Sequence, residues 1–252
     1  MGFPIDIREE AGVRTLHFGS EWIQGAMRIA RPWNLELEYT REMMASLLLS
    51  DDARWPRKVL LIGLGTASLT KFLYRHFPLA HLTVVEIESA VVAAARQFFK
   101  LPEDPKRINL VIGDGAGYVL CIDKKFDLII VDGYDENAQS GALDTLPFYQ
   151  ACRTRLSDNG IVAVNLLTRS NRRYVASIKR IAEAFDDRVL VFPSCESGNA
   201  IAFAASGDPI RMSLADLREK ALALKETTGV NLLPTLTRLT QAKTCLNDTL
   251  IL

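Results

Sequence analysis

The chain has 252 residues, 48% of them hydrophobic and 24% charged, enough to bury one sizeable core with a small appended subdomain. Thirty basic residues balance thirty acidic ones, so no electrostatic footprint points to nucleic acid or an anionic membrane, and the expected partner is a small molecule. Cys121, Cys152, Cys195 and Cys245 have no paired spacing for zinc or a redox dithiol. No apolar run reaches membrane-spanning length and the start MGFPIDIREE lacks the order of a secretory signal, so the expected setting is the cytoplasm.

VRTLHFGSEWIQGAMRIARP mixes β-branched and aromatic residues with turn formers, which predicts a small β-hairpin or meander over residues 1–34. From Leu35 the spacing of Leu37, Met44, Leu47 and Leu48 is helical. After Pro56, KVLLIGLG is a short apolar run ending in glycines, as expected of a fully buried parallel strand. The pattern then alternates: helix ASLTKFLYRHF, strand HLTVVEIE, helix SAVVAAARQFFKL, strand INLVIGDG, a short helix through Tyr118 and Leu120, and strand FDLIIVDGYD. A helix from about Leu146 to Leu156, strand GIVAVNLL, helix NRRYVASIKRIAEAF, a closely joined pair of strands RVLVFPS and NAIAFAAS, and the amphipathic helix SLADLREKALALKE complete it. The expectation is an α/β domain over 35–252 built on a parallel sheet.

Chemistry-bearing residues gather at the carboxyl ends of these strands, where open α/β sheets bind ligands. Gly63 and Gly65 open a strand-to-helix turn in which backbone can approach a nucleotide closely, although such turns also use glycine for structural reasons alone. Glu86 ends the next strand, roughly twenty residues on, where a carboxylate can accept both ribose hydroxyls; the structural alternative is a helix N-terminal acid. Asp114, flanked by Gly113 and Gly115, can face an adenine amino group or simply make an Asp-Gly turn. Asp132 and Asp135 form a pair suited to proton or cation handling; alternatively they belong to a solvated acidic loop in which Asp132 caps its own backbone. The histidines share no ligand spacing, so no metal site is expected, and hydrolase or phosphoryl-transfer motifs are missing.

In this order of landmarks the chain resembles the spermidine synthase family of polyamine aminopropyltransferases. Glu38-Tyr39-Thr40-Arg41-Glu42-Met43-Met44 matches the family's Tyr-x-Glu-Met helix, VVEIE its ribose motif, GDG its adenine-side Asp-Gly, and FDLIIVDGYD its Phe-Asp-x-Ile-x-x-Asp-x-x-Asp. The resemblance implies a Rossmann-like S-adenosylmethionine-dependent methyltransferase fold with a small N-terminal β-hairpin subdomain. It also implies aminopropyl transfer from decarboxylated S-adenosylmethionine to a small amine such as putrescine, with a homodimer as the expected assembly. It makes Asp132 the base, gives Tyr39 and Asp135 to the amine, and gives Gly63, Gly65, Glu86, Asp114 and Gly115 to the nucleoside.

Four departures accompany the matches, the first a shortened N-terminal hairpin. Thr66 stands where the family's glycine loop carries an aspartate, Glu136-Asn137-Ala138 replaces a proline-containing gate, and Cys195-Glu196-Ser197-Gly198 replaces a tyrosine before a Ser-Gly or Gly-Gly pair. An aspartate at 66 would repel the carboxylate of intact S-adenosylmethionine and a threonine would not. A methyltransferase using the intact donor, and a non-catalytic nucleoside-binding homologue, are therefore the alternatives. A nicotinamide-dependent dehydrogenase fits the glycine loop and Glu86 but lacks an evident proton donor.

Overall fold

The computed structural model describes residues 4–52, 54–195, 197–241 and 245–252. Its centre is the apolar run after Pro56. Strand β4 (Lys58–Ile62) buries Val59 and Leu61 on one face and Leu60 and Ile62 on the other, each at most 2% exposed. A strand buried on both faces needs apolar residues at every position, which is why the run does not alternate. Each such side chain contributes roughly 1.5–3 kcal/mol of burial.

Around β4 lie β5 (His81–Glu86), β6 (Ile108–Ile112), β7 (Phe126–Val131), β8 (Leu156–Leu167), β9 (Val189–Val191) and β10 (Asn199–Ala205), in a seven-stranded sheet of order β6-β5-β4-β7-β8-β10-β9. The pairs β4/β5, β5/β6, β4/β7 and β7/β8 are parallel, whereas β10 runs antiparallel to both β8 and β9. The two final strands are thus the closely joined pair expected from RVLVFPS and NAIAFAAS. Strand order reverses between β4 and β7, so a crevice opens at the carboxyl ends of those two strands.

Helices α2 (Ser68–His76) and α3 (Ser89–Phe98) cover one face, together with the N-terminal strands; α4 (Gly115–Cys121), α5 (Leu146–Arg155) and α6 (Asn171–Ala184) cover the other. The expected helix from Leu35 is shorter than its pattern suggests: α1 spans Glu38–Met43 and continues as a 3-10 turn over Met44–Leu48. That run of apolar residues is buried nearly all round, which a tighter turn accommodates as readily as an α-helix.

The N-terminal segment is a three-stranded meander, β1 (Ile5–Glu10), β2 (Val13–Phe18) and β3 (Ile23–Arg28), one strand more than a hairpin. Its Leu16, Phe18 and Met27 join the same core as Val59 and Phe72, and Arg14 donates to the Phe98 carbonyl at 2.5 Å. His17 lies buried within this meander. At the other end, α7 (Leu214–Thr228) follows the expected amphipathic stretch, and α8 (Leu233–Gln241) with the ribbon of β11 (Arg211–Ser213) and β12 (Thr249–Ile251) completes the fold. Among the described residues no helix is long and apolar enough to cross a membrane.

Candidate active site

A cleft of about 720 Å³ runs along the carboxyl ends of β4, β5 and β7. It brings together Tyr39, Gly63, Gly65, Glu86, Asp114, Gly115, Asp132 and Asp135, so these eight candidate residues line one space. The meander contributes Trp22, Ile23 and Gln24 to its rim.

The glycine turn is dictated by sterics. Gly63 has φ +94°, and a Cβ built there would lie 2.2 Å from the carbonyl oxygen of Asp132, because Asp132 N–H donates to the Ile62 carbonyl and draws the two strand ends together. Thr66 is 2% exposed and packs under Gly25 of β3, where a Cβ would meet its side chain at 2.7 Å. Its hydroxyl is paired with Ser68 Oγ at 2.9 Å. The residue that departs from the family's aspartate therefore seals the glycine loop against the meander. Beside it, the small recess lined by Gln24, Thr40, Thr66, Ser68 and Thr70 has Asp132 as its sole carboxylate among the described residues.

Glu86 ends β5 at 7% exposure. Its Oε2 accepts from Leu64 N–H at 2.8 Å and its Oε1 from Glu88 N–H at 2.9 Å, which ties the glycine turn to the start of α3. Burial lifts its pKa above the usual carboxylate range, opposed by these backbone amides. Asp114 caps α4, accepting from Ala116 N–H at 3.2 Å and Gly117 N–H at 2.8 Å, and stays exposed to the cleft. Capping and the cleft-facing position coexist at this residue. Asp135 organises its own loop in the same manner: one carboxylate oxygen accepts from Asn137 and Gln139 N–H, both at 2.8 Å.

Asp132 is different, because side chains rather than backbone hold it. Tyr39, carried on α1, donates to Oδ2 at 3.2 Å, and Asn165 of β8 donates to Oδ1 at 2.8 Å. Burial raises its pKa above the ordinary aspartate value, with the Asn165 and Tyr39 hydrogen bonds opposing the rise. Tyr39 is pushed well above the usual phenol range by burial first and by the Asp132 charge second, so it remains a donor. Asn165 in turn accepts from Asn199 of β10 at 2.9 Å. Sequence reasoning passed over both asparagines; the available signal was a polar residue within each of the apolar runs GIVAVNLL and NAIAFAAS. Of the altered segment Cys195-Glu196-Ser197-Gly198, Glu196 lies outside the described residues, while Ser197 donates to Asn199 Oδ1 at 2.8 Å.

Two electrostatic features frame these acids. Among the described lining residues Arg169 is the one cation, and it stacks on Trp22 with 3.9 Å from guanidinium carbon to ring centroid. Among the described residues no group of three or more His, Cys, Asp or Glu could hold a metal ion.

The spermine/spermidine synthase domain family matches residues 36–195, the segment that carries Tyr39, the glycine turn and all four carboxylates. The chain belongs to that family. Over 226 residues it is 36% identical to the polyamine aminopropyltransferase of Chromobacterium violaceum, covering 90% of this chain and 85% of that relative. A spermidine synthase solved in complex with the transition-state analogue AdoDATO is 26% identical, with a TM-score of 0.61 over 81% of this chain and 74% of its own. A probable spermidine synthase from Corynebacterium glutamicum, at 16% identity, supports the fold alone, with a TM-score of 0.73 over 90% of this chain and 91% of its own. The spermine/spermidine synthase family is one of transferases, and its Rossmann-like α/β fold is the one described above.

Proposed function

We propose that the chain moves an aminopropyl group from decarboxylated S-adenosylmethionine to a small amine such as putrescine. In this reading Glu86 takes the ribose hydroxyls, Asp114 faces the adenine amino group, and the backbone at Gly63, Gly65 and Gly115 lets the nucleoside approach closely. Tyr39 and Asp135 hold the amine. The amine nitrogen attacks the aminopropyl carbon bonded to sulfur, the carbon–sulfur bond breaks with its electron pair leaving on sulfur as methylthioadenosine, and the amine proton passes to Asp132. A sulfonium leaves as a neutral thioether without acid assistance, so the chemistry asks the protein for a neutral nucleophile held in line.

The observation that carries this reading is Asp132 itself: a half-buried carboxylate at the topological switch point, held by Tyr39 and Asn165, in a cleft whose other charges are mostly acidic. An acidic cleft favours cationic amines and the sulfonium alike. We further take the meander to residue 34 as a rim subdomain on the catalytic domain 35–252, and the enzyme as a cytoplasmic homodimer. Exposed Ile29, directly after β3, is apolar surface that supports a contact between copies.

Thr66 favours a second reading, a methyltransferase using intact S-adenosylmethionine, because the recess around it carries no acid other than Asp132 to repel a donor carboxylate. Calorimetric titration with the decarboxylated donor, the intact donor and methylthioadenosine separates the two. Tighter binding of the decarboxylated donor is the expected outcome; tighter binding of the intact donor gives the methyltransferase, and binding of neither gives a non-catalytic homologue.

A further inference from the structure

Half-buried Asp132 stands at the end of a line of hydrogen-bonded side chains, in which Asn165 and Asn199 are buried and Ser197 is exposed. Ser197 Oγ donates to Asn199 Oδ1 at 2.8 Å, Asn199 Nδ2 to Asn165 Oδ1 at 2.9 Å, and Asn165 Nδ2 to Asp132 Oδ1 at 2.8 Å. Cys195 Sγ lies 3.0 Å from Ser197 Oγ, whose one proton is already committed to Asn199, so the thiol donates there. Both asparagines are nearly inaccessible, at 5% and 7% exposure. The antiparallel pairing of β8 and β10 sets Asn199 against Leu167 and Ile201 against Asn165, which fixes their spacing.

The direction of every bond follows from the carboxylate outward. An ionised carboxylate only accepts, so Asn165 must turn its NH₂ toward Asp132, which leaves its oxygen in need of a donor. Asn199 supplies that donor with its own NH₂, and its oxygen then needs Ser197. An unfilled buried acceptor at any step carries a desolvation penalty, so the three orientations hold one another.

We infer that Asn199, acting through Asn165, is a positioning residue for Asp132, keeping its carboxylate ionised and in the orientation that presents Oδ2 to Tyr39 and the amine. This rests on the reading of Asp132 as the base. The need for such a device is visible in what surrounds that carboxylate. Tyr39 faces it from α1 and Tyr134 feels its charge from the same loop, Asp135 and Glu86 line the same cleft, and Cys195, before β10, acts on Tyr39; none is a cation. Arg169, the one lining cation among the described residues, is at the rim against Trp22. With no ion pair, the oriented Asn165 amide is the first of two groups that stabilise the charge, ahead of the Tyr39 hydroxyl. Tyr134 adds rigidity, its hydroxyl donating to the backbone carbonyl of Asn165 at 2.5 Å.

The test compares Asn199→Asp, Asn199→Leu and Ser197→Ala with the unaltered enzyme. Asn199→Asp is isosteric but accepts only, so it turns the Asn165 carbonyl toward Asp132; Asn199→Leu removes the donor without adding charge; Ser197→Ala is the mildest change and guards against misfolding of the other two. The acidic limb of the kcat/KM profile for aminopropyl transfer is expected to rise by about one pH unit in Asn199→Asp, a tenfold loss below the limb, and by less in the other two, with the amine KM little changed. In parallel, aspartate labelled with ¹³C at the side-chain carboxyl, assigned by the signal missing in Asp132→Asn, reports the Asp132 midpoint without turnover. An upward shift in all three variants supports the inference. An unchanged midpoint in Asn199→Leu and Ser197→Ala overturns it, even if Asn199→Asp shifts, since added charge alone then accounts for that shift. Normal titration shifts in a protein that transfers nothing would instead overturn the reading of Asp132 as base.

Discussion

Gly63→Ala puts the geometry of the site to a quantitative test. The added methyl carbon would sit 2.2 Å from the Asp132 carbonyl oxygen, where ordinary contact begins at 3.4 Å, so the two strand ends must separate by about 1.2 Å. The φ of +94° adds strain for any residue with a Cβ, on the order of 1–3 kcal/mol. The displaced carbonyl belongs to the residue that bears the base. A misplacement of about 1 Å costs roughly 10²-fold in rate, so transfer falls about a hundredfold while the melting temperature drops by roughly 2–12 °C for a chain of this size. Gly65→Ala is the control: its Cβ would lie 3.4 Å from the Gln24 carbonyl, with φ +51°, so it strains the turn without pushing on Asp132. Kinetics of methylthioadenosine release and thermal melts of both variants make the comparison. Equal activity of Gly63→Ala and the unaltered chain would refute the placement of Asp132 against the glycine turn.

Asp132→Asn separates function from stability. Burial raises the Asp132 pKa in the folded state, so the stability this group contributes is full below the unfolded aspartate pKa and is lost as pH rises through the folded value. The variant is therefore expected to melt higher than the unaltered chain at pH 7 while losing roughly 10²–10⁴-fold in transfer; a lower melting point at pH 7 would contradict the sign. Glu86→Gln puts an NH₂ against one of the backbone amides at Leu64 or Glu88, and nucleoside affinity in a calorimetric titration is expected to fall about tenfold to a hundredfold. On α1, Glu42 is fully buried and its Oε1 accepts from Arg238 and, at 3.0 Å, from Thr235 of α8, while Arg238 also bonds Glu38 at 2.9 Å. Arg238→Met strands that carboxylate at a cost of about 3–5 kcal/mol, a fall of roughly 6–20 °C in melting temperature. An unchanged melt would mean that α8 does not hold the helix that carries Tyr39.

Much of this site is readable from residue order, because parallel strands buried on both faces print themselves as KVLLI and FDLII and end where polar residues begin. Glu86 and Asp132 follow from that rule alone, whereas Asp114 follows β6, an edge strand whose Ile112 is exposed, and stands out through its flanking glycines. Their backbone bonds do not: whether a strand-end acid caps α4, as Asp114 does, or ties the glycine turn, as Glu86 does, depends on turn geometry that residue type does not specify. The role of Thr66 was likewise hidden, since its partner Gly25 comes from the meander, about forty positions earlier in the chain. Asn165 and Asn199 become partners only through the β8/β10 register. Strands β1, β11 and β12 are short or half exposed and carry no strong periodic signal, whereas α8 does carry one, Leu233, Leu236 and Leu239 recurring at helical spacing after the amphipathic stretch that reads as the last helix.

The most direct measurement follows methylthioadenosine and aminopropylated product together, with decarboxylated S-adenosylmethionine and putrescine supplied to the unaltered chain and to Asp132→Asn. Stoichiometric formation of both products that requires the amine, and that collapses in Asp132→Asn, is the predicted result. Amine-independent release, full activity in Asp132→Asn, or turnover of the intact donor to S-adenosylhomocysteine in place of aminopropyl transfer would contradict the account.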